Sequence, residues 1–298
     1  MIVMSSSSIK VITLQENVSG YRLGVANPFI EESSVRESVK HVKVLIDYAS
    51  QIGVKTIVLP FNTLHRLSEN TAAGNTREVF FHSKNPLVKA FAGLAKLKHI
   101  NIVLVGVLER RGGKVYYSNM LINDSGHGTF FGRKILVSQR EALLGINQGS
   151  SVEVVSEGSL RLTVLLGEDA LMPELARLAA TLGAQLLLVA PMGSISHHNL
   201  EKLVSSLSFF AGLATIGVNC ESPLSSEHEA SSCSIAVAMP DLGTTYSDSS
   251  LHNFILTLPY KVIYMHSKGV ADEQLIKIAK IYASYLRRRR GISRVKLV

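Results

Sequence analysis

The sequence predicts an α/β protein, and three observations predict it. Apolar strand-like runs alternate with helix-like runs along the 298 residues. One pattern occurs twice: a helix, Gly53, an apolar strand and Pro60 recur as a helix, Gly183, an apolar strand and Pro191. The composition, 46% hydrophobic and 18% charged, suits a chain that buries a large core. Strands and helices mixed in this way imply sheets with helices on their outer faces. Periodicity alone leaves open whether the sheets are doubly wound or packed face to face. No Pro/Gly/Ser-rich linker divides the chain, so a single domain over 1–298 is expected.

The elements follow from local pattern. Ser34-Val-Arg-Glu37 has the form of a capping box. Val35, Val39, Val42, Leu45, Ile46, Ala49 and Ile52 then recur at helical spacing, and Gly53 closes the helix. A strand is expected at 56–60, a helix at about 86–99, a strand at 101–107 and hairpin strands to about 137. Leu162–Leu166 reads as a buried strand, followed by a tight turn and a helix over 173–182 opened by Pro173. Next come a strand at 185–190, a helical pattern at about 199–215 and a strand near Gly217–Cys220. Late strands are expected near 233–238 and 254–258.

Bulk properties narrow the function classes. No apolar run approaches the length of a membrane span, and no basic segment followed by an apolar core opens the chain. A cytoplasmic protein with no membrane role is therefore expected. Cys220 and Cys233 are too few for a disulfide framework and are read as inert small hydrophobes. His197-His198 lacks a third ligand at metal spacing, so it is read as loop, with no metal and no cofactor expected. Charge is unevenly distributed. Lys277, Lys280, Arg287, Arg288, Arg289, Arg290, Arg294 and Lys296 fall in a C-terminal tail, about 277–298, that has no acid. Removing these eight from the 31 basic residues leaves 23, equal to the 23 acidic ones, so the body is neutral.

Several segments together resemble the nitrilase, or carbon–nitrogen hydrolase, superfamily. Leu166-Gly-Glu-Asp169, then Pro173-Glu174 and Arg177, matches the segment that carries the family's nucleophilic cysteine. Pro60-Phe61 matches a strand end where the family has Pro-Glu, the glutamate being the general base. Asn119, Asp124, Gly126 and Arg133-Lys134 match the hairpin leading to the family's catalytic lysine. The resemblance implies a four-layer α-β-β-α sandwich of the nitrilase type, and a homodimer that uses the helix at about 173–182 and the C-terminal segment.

It also assigns the site residue by residue. Gly167 stands at the cysteine position, Phe61 at the glutamate position and Lys134 at the lysine position. Such chemistry needs a nucleophile beside a base, with a positive donor facing the developing charge. Gly167 supplies no nucleophile, and Phe61 supplies no base and can fill the pocket. These positions read as vestigial, with no functional catalytic residue. A buried Lys134 needs a carboxylate partner. Glu141, where family members carry a positioning glutamate, and Glu168, beside the old nucleophile, are the candidates. Lys134, Glu141 and Glu168 are thus the expected pocket-binding residues.

Three readings of function follow. The first is a catalytically inactive relative that binds a small molecule or a protein partner. The second is an amidase with relocated catalytic residues. The third is a nucleic-acid- or ribosome-associated protein whose Arg287, Arg288, Arg289 and Arg290 contact phosphates. A subunit-spanning strap is the other use for those four arginines, since cations suit a helix C-terminus.

Overall fold

The computed structural model describes residues 9–13, 20–26, 35–60, 85–158, 160–191, 195–220, 233–240, 243–248 and 253–259. Phe61 and the basic tail, with Arg287, Arg288, Arg289 and Arg290, lie outside the described residues, as does Ser34 of the expected capping box.

Two sheets carry the architecture. The first is built from β1 (Ile9–Thr13), β2 (Gly20–Ala26), β3 (Thr56–Leu59), β4 (Asn101–Arg111), β5 (Lys114–Ile122), β6 (Gly128–Phe131) and β13 (Asn253–Pro259). Its strand order is β1-β13-β2-β3-β4-β5-β6. The second comprises β7 (Val155–Glu157), β8 (Leu160–Leu166), β9 (Leu186–Ala190), β10 (Ala214–Cys220), β11 (Cys233–Met239) and β12 (Gly243–Asp248), in the order β12-β11-β10-β9-β8-β7. β8, β9 and β10 run parallel, so their carboxyl ends share one edge of the sheet.

Alternation along the strands makes the layers. Leu160, Leu162, Val164 and Leu166 of β8 join Leu186, Leu188, Ile216 and Val218 in one core with Leu23, Val58, Val103 and Val105 of the other sheet. This is the seam between the sheets, and it follows from the period of two in strand side chains. The opposite faces carry helices. α1 (Val35–Gln51) and α2 (Pro86–Lys98) bury Val42, Leu45, Ile46, Ala49, Val88 and Phe91 on the first sheet. α4 (Pro173–Thr181) and α5 (His197–Ala211) bury Ala176, Ala179, Leu207 and Ala211 on the second. A short α3 (Gln139–Leu143) links the two halves. The result is the four-layer α-β-β-α sandwich of the nitrilase type.

Several boundaries differ from the sequence expectation, each for a local reason. The hairpin ends at Phe131, because Gly132 has φ of +58° and turns the chain out of the sheet. The helix expected to reach 215 stops at Ala211, where Gly212 takes a left-handed φ of +68° and β10 begins two residues later. His197 and His198 open α5 rather than lying in a loop, with Ser196 accepting a hydrogen bond from Asn199 N as its cap. No helix among the described residues is long and apolar enough to cross a membrane.

Candidate functional site

The site forms where the turn after β8 meets the segment after β6. Gly167 opens a single 3-10 turn, Gly167–Leu171, at the carboxyl end of β8. Its φ of +53° lies in the left-handed region, which costs an L side chain energy and glycine little. Asp169, in the same turn, accepts hydrogen bonds from Ile135 N and Leu136 N, both at 2.7 Å. It therefore fixes the turn against the backbone beside Lys134. Burial pushes the Asp169 carboxyl up to about 6, against the pull of those two hydrogen bonds and of the Lys134 charge.

Lys134 is held at both ends of the residue. Its N–H donates to Tyr117 O at 2.8 Å, and its carbonyl accepts from Gly149 N at 2.7 Å. A Cβ on Gly149 would collide with the Arg133 carbonyl oxygen, so this crossing needs glycine. Asn119 supports the approach from β5. It donates to Gly132 O at 3.0 Å and accepts from Gly106 N at 3.2 Å.

The Lys134 side chain is 1% exposed, and its ammonium meets two carboxylates. Nζ lies 2.5 Å from Glu141 Oε1 and 2.7 Å from Glu141 Oε2. Glu168 Oε2 lies 2.5 Å away on the other side, an ion contact without the angle of a hydrogen bond. The Glu168 side chain is 44% exposed as a whole, but the Oε2 that meets Lys134 is buried; the Glu141 side chain is nearly buried. Glu141 also closes a capping box on α3. Its Oε2 accepts from Ser138 N at 2.7 Å and its N–H donates to Ser138 Oγ at 3.2 Å. One carboxylate thus fixes a helix start and neutralises a buried cation.

The structure therefore brings together Lys134, Glu141, Glu168 and Gly167 of the residues named from sequence. With one ammonium and two carboxylates, the cluster has a formal charge of −1. Three further residues are important to its geometry: Asp169 and Asn119, named from sequence only as part of the resemblance and given no role at the site, and Glu109, which was not singled out. Glu109 binds Arg133, next to Lys134, through contacts of 2.7 Å and 2.6 Å, and accepts from Ser118 Oγ at 2.6 Å. Arg133 also lies over the Tyr116 ring, 4.6 Å from its centroid.

The carbon–nitrogen hydrolase profile matches residues 23–228, more than half of the chain. The chain belongs to the carbon–nitrogen hydrolase family. No curated protein sequence matches it. Solved carbon–nitrogen hydrolase structures share its fold. A Glu→Gln mutant of the amidase from Nesterenkonia sp. AN1, after Michael addition of acrylamide at its active-site cysteine, superposes with a TM-score of 0.68. Sequence identity is 17%, covering 89% of this chain and 99% of that one. The same amidase after tag removal gives a TM-score of 0.67 at 16% identity, with coverage of 89% and 99%. A Cys→Ala mutant of it in complex with butyramide gives 0.63 at 16% identity, with coverage of 82% and 93%. At these identities the likeness establishes the fold.

Proposed function

We propose that this carbon–nitrogen hydrolase relative has lost hydrolytic chemistry and works by binding, with the pocket floor kept as a structural remnant. The observation that carries the reading is the double neutralisation of Lys134 by Glu141 and Glu168 beside a nucleophile-free turn at Gly167. Acyl-transfer catalysis stabilises a developing oxyanion with positive, preorganised donors. Here an oxyanion would meet a cluster of net negative charge whose only ammonium already has two carboxylate partners. Gly167 offers no atom for a covalent intermediate. The residue that the resemblance places as base is Phe61, which takes no proton.

The expected result is no turnover of nitrile, aliphatic amide or carbamoyl substrates by repurified protein. Gly167→Cys alone should leave that result unchanged, because no base accompanies the thiol. Turnover that survives repurification and disappears in Lys134→Ala would overturn the reading in favour of an amidase with relocated residues.

Binding between two copies is the partner reading we favour, with the α4–α5 face as the contact. Phe209 and Phe210, 74% and 59% exposed, pack edge to face near the end of α5 with ring centroids 5.8 Å apart. Arg177 of α4 donates to Phe210 O at 3.0 Å and joins the two helices into one surface. Exposed paired aromatics of this kind mark association sites. Light scattering should give a dimer mass at micromolar concentration, and Phe209→Glu/Phe210→Glu should give a monomer. A monomeric wild type would rule the contact out.

A further inference from the structure

We propose that Cys220 and Cys233 form a reversible thiol-oxidation site, closing a cross-strand disulfide when exposed to a low-molecular-weight disulfide such as oxidised glutathione. The chain has two cysteines in 298 residues, and the ladder between β10 and β11 sets them directly opposite each other. The pairing is antiparallel and unshifted from Thr215↔Ala238 to Cys220↔Cys233, the last pair of the ladder.

Antiparallel geometry then determines the reach. Directly opposed residues have Cα atoms about 4.5 Å or about 5.5 Å apart, depending on whether the pair is hydrogen bonded. A disulfide needs about 4.4–6.8 Å. Either pair type therefore falls within range without backbone movement. The faces agree as well. Cys220 occupies a register position in phase with Ile216 and Val218, and Cys233 one in phase with Ile235 and Val237, all four in the core between the sheets.

The position relates the pair to the site already described. Leu165 aligns with Val189, and Val189 with Gly217, so Cys220 ends β10 at the same edge where β8 turns at Gly167. Oxidation would covalently join the last residue of β10 to the first residue of β11 at that edge.

The chemistry balances as exchange. One cysteine thiolate attacks a sulfur of oxidised glutathione and releases one glutathione thiolate, leaving a mixed disulfide. The second cysteine thiolate attacks the protein sulfur of that intermediate and releases the second glutathione thiolate. The protein loses two protons and two electrons, and one oxidised glutathione takes them up to become two reduced molecules.

The test equilibrates the whole protein in glutathione buffers of graded redox poise until the thiol pattern stops changing. Free thiols are then alkylated under denaturing conditions and peptides are read by mass spectrometry. In oxidising buffer the expected result is loss of both alkylatable thiols, with an intact chain two hydrogens lighter and one linked peptide pair containing Cys220 and Cys233. Reduced buffer should return both thiols. Cys220→Ser and Cys233→Ser should each yield a mixed disulfide with glutathione and no linked pair. Full alkylation of both cysteines in oxidising buffer would overturn the proposal, as would links between two chains, or two glutathione adducts on the wild type.

Discussion

Replacing Lys134 by methionine should destabilise the fold by about 3–5 kcal/mol, the typical result of removing one partner from a buried ion pair. Methionine keeps most of the volume of the stem, so the effect reads charge rather than cavity. Without the ammonium, the nearly buried Glu141 carboxylate keeps only its capping contacts with Ser138, and it faces Glu168 across the site. The urea midpoint should fall while the slope with denaturant stays the same, marking lost stability rather than a changed unfolded state. Glu168→Gln should shift the midpoint less, because the Glu168 side chain is 44% exposed as a whole and its Oε2, although buried against Lys134, makes no hydrogen bond to it. Adding Glu141→Leu to Lys134→Met should recover part of the loss, since replacing both members of a buried pair with apolar groups is commonly neutral. Equal midpoints for Lys134→Met and Glu168→Gln would show that the buried pair does not hold the site together.

The parts of this fold that were legible in the sequence share one property: their pattern is local. Apolar runs such as Leu162–Leu166 and Gln185–Ala190 identify strands of the inter-sheet core, and Pro173 identifies the start of a helix. Ser138 and Glu141 also had a readable local signature, serine three residues before glutamate, but the helix they cap is only five residues long. Such a short helix shows no periodicity to attract attention. Partners distant in sequence were not legible. Asp169 binds backbone N–H groups 34 and 33 residues upstream, and no side chain at Ile135 or Leu136 signals that bond. β1 and β2 escaped notice because both depend on β13, near the other end of the chain, which pairs β1 in parallel and β2 in antiparallel register.

A phase slip hid another part. In β4 the outward residues Ile102 and Leu104 are followed by Val107 instead of residue 106, because the ladder shifts register between Leu104 and Val107. Gly106, with φ of +68°, accommodates the bulge. Simple alternation carried past that point assigns later residues to the wrong face. Glu109, in the run Leu108-Glu-Arg-Arg111, reads as the solvated end of a hairpin. Its burial becomes apparent only when Arg133 is placed beside it.

Glu109→Gln should therefore cost about 2–4 kcal/mol, since the substitution removes the charge facing Arg133 and weakens two strong hydrogen bonds. The lower part of that range is expected because Arg133 remains a quarter exposed, whereas Glu109 is 4% exposed. The pH dependence separates this pair from a neutral packing effect. Burial would push the Glu109 carboxyl up. The hydrogen bonds from Arg133 and Ser118, with the charges of Arg133 and Arg111, outweigh burial and leave it below its ordinary 4.5. A carboxylate depressed in the folded state binds fewer protons there than in the unfolded chain. Its contribution is complete above about 4.5 and is lost as pH falls through the folded value. The difference in unfolding free energy between wild type and Glu109→Gln should stay constant from neutral pH to about 5 and shrink below 4.5. Because Arg133 directly precedes Lys134, the variant should also loosen the site, visible as faster amide exchange at Lys134 N, which is bonded to Tyr117 O. A difference that stays flat down to pH 3, or exchange at Lys134 unchanged from wild type, would mean that the Glu109–Arg133 pair neither titrates nor supports the site as drawn.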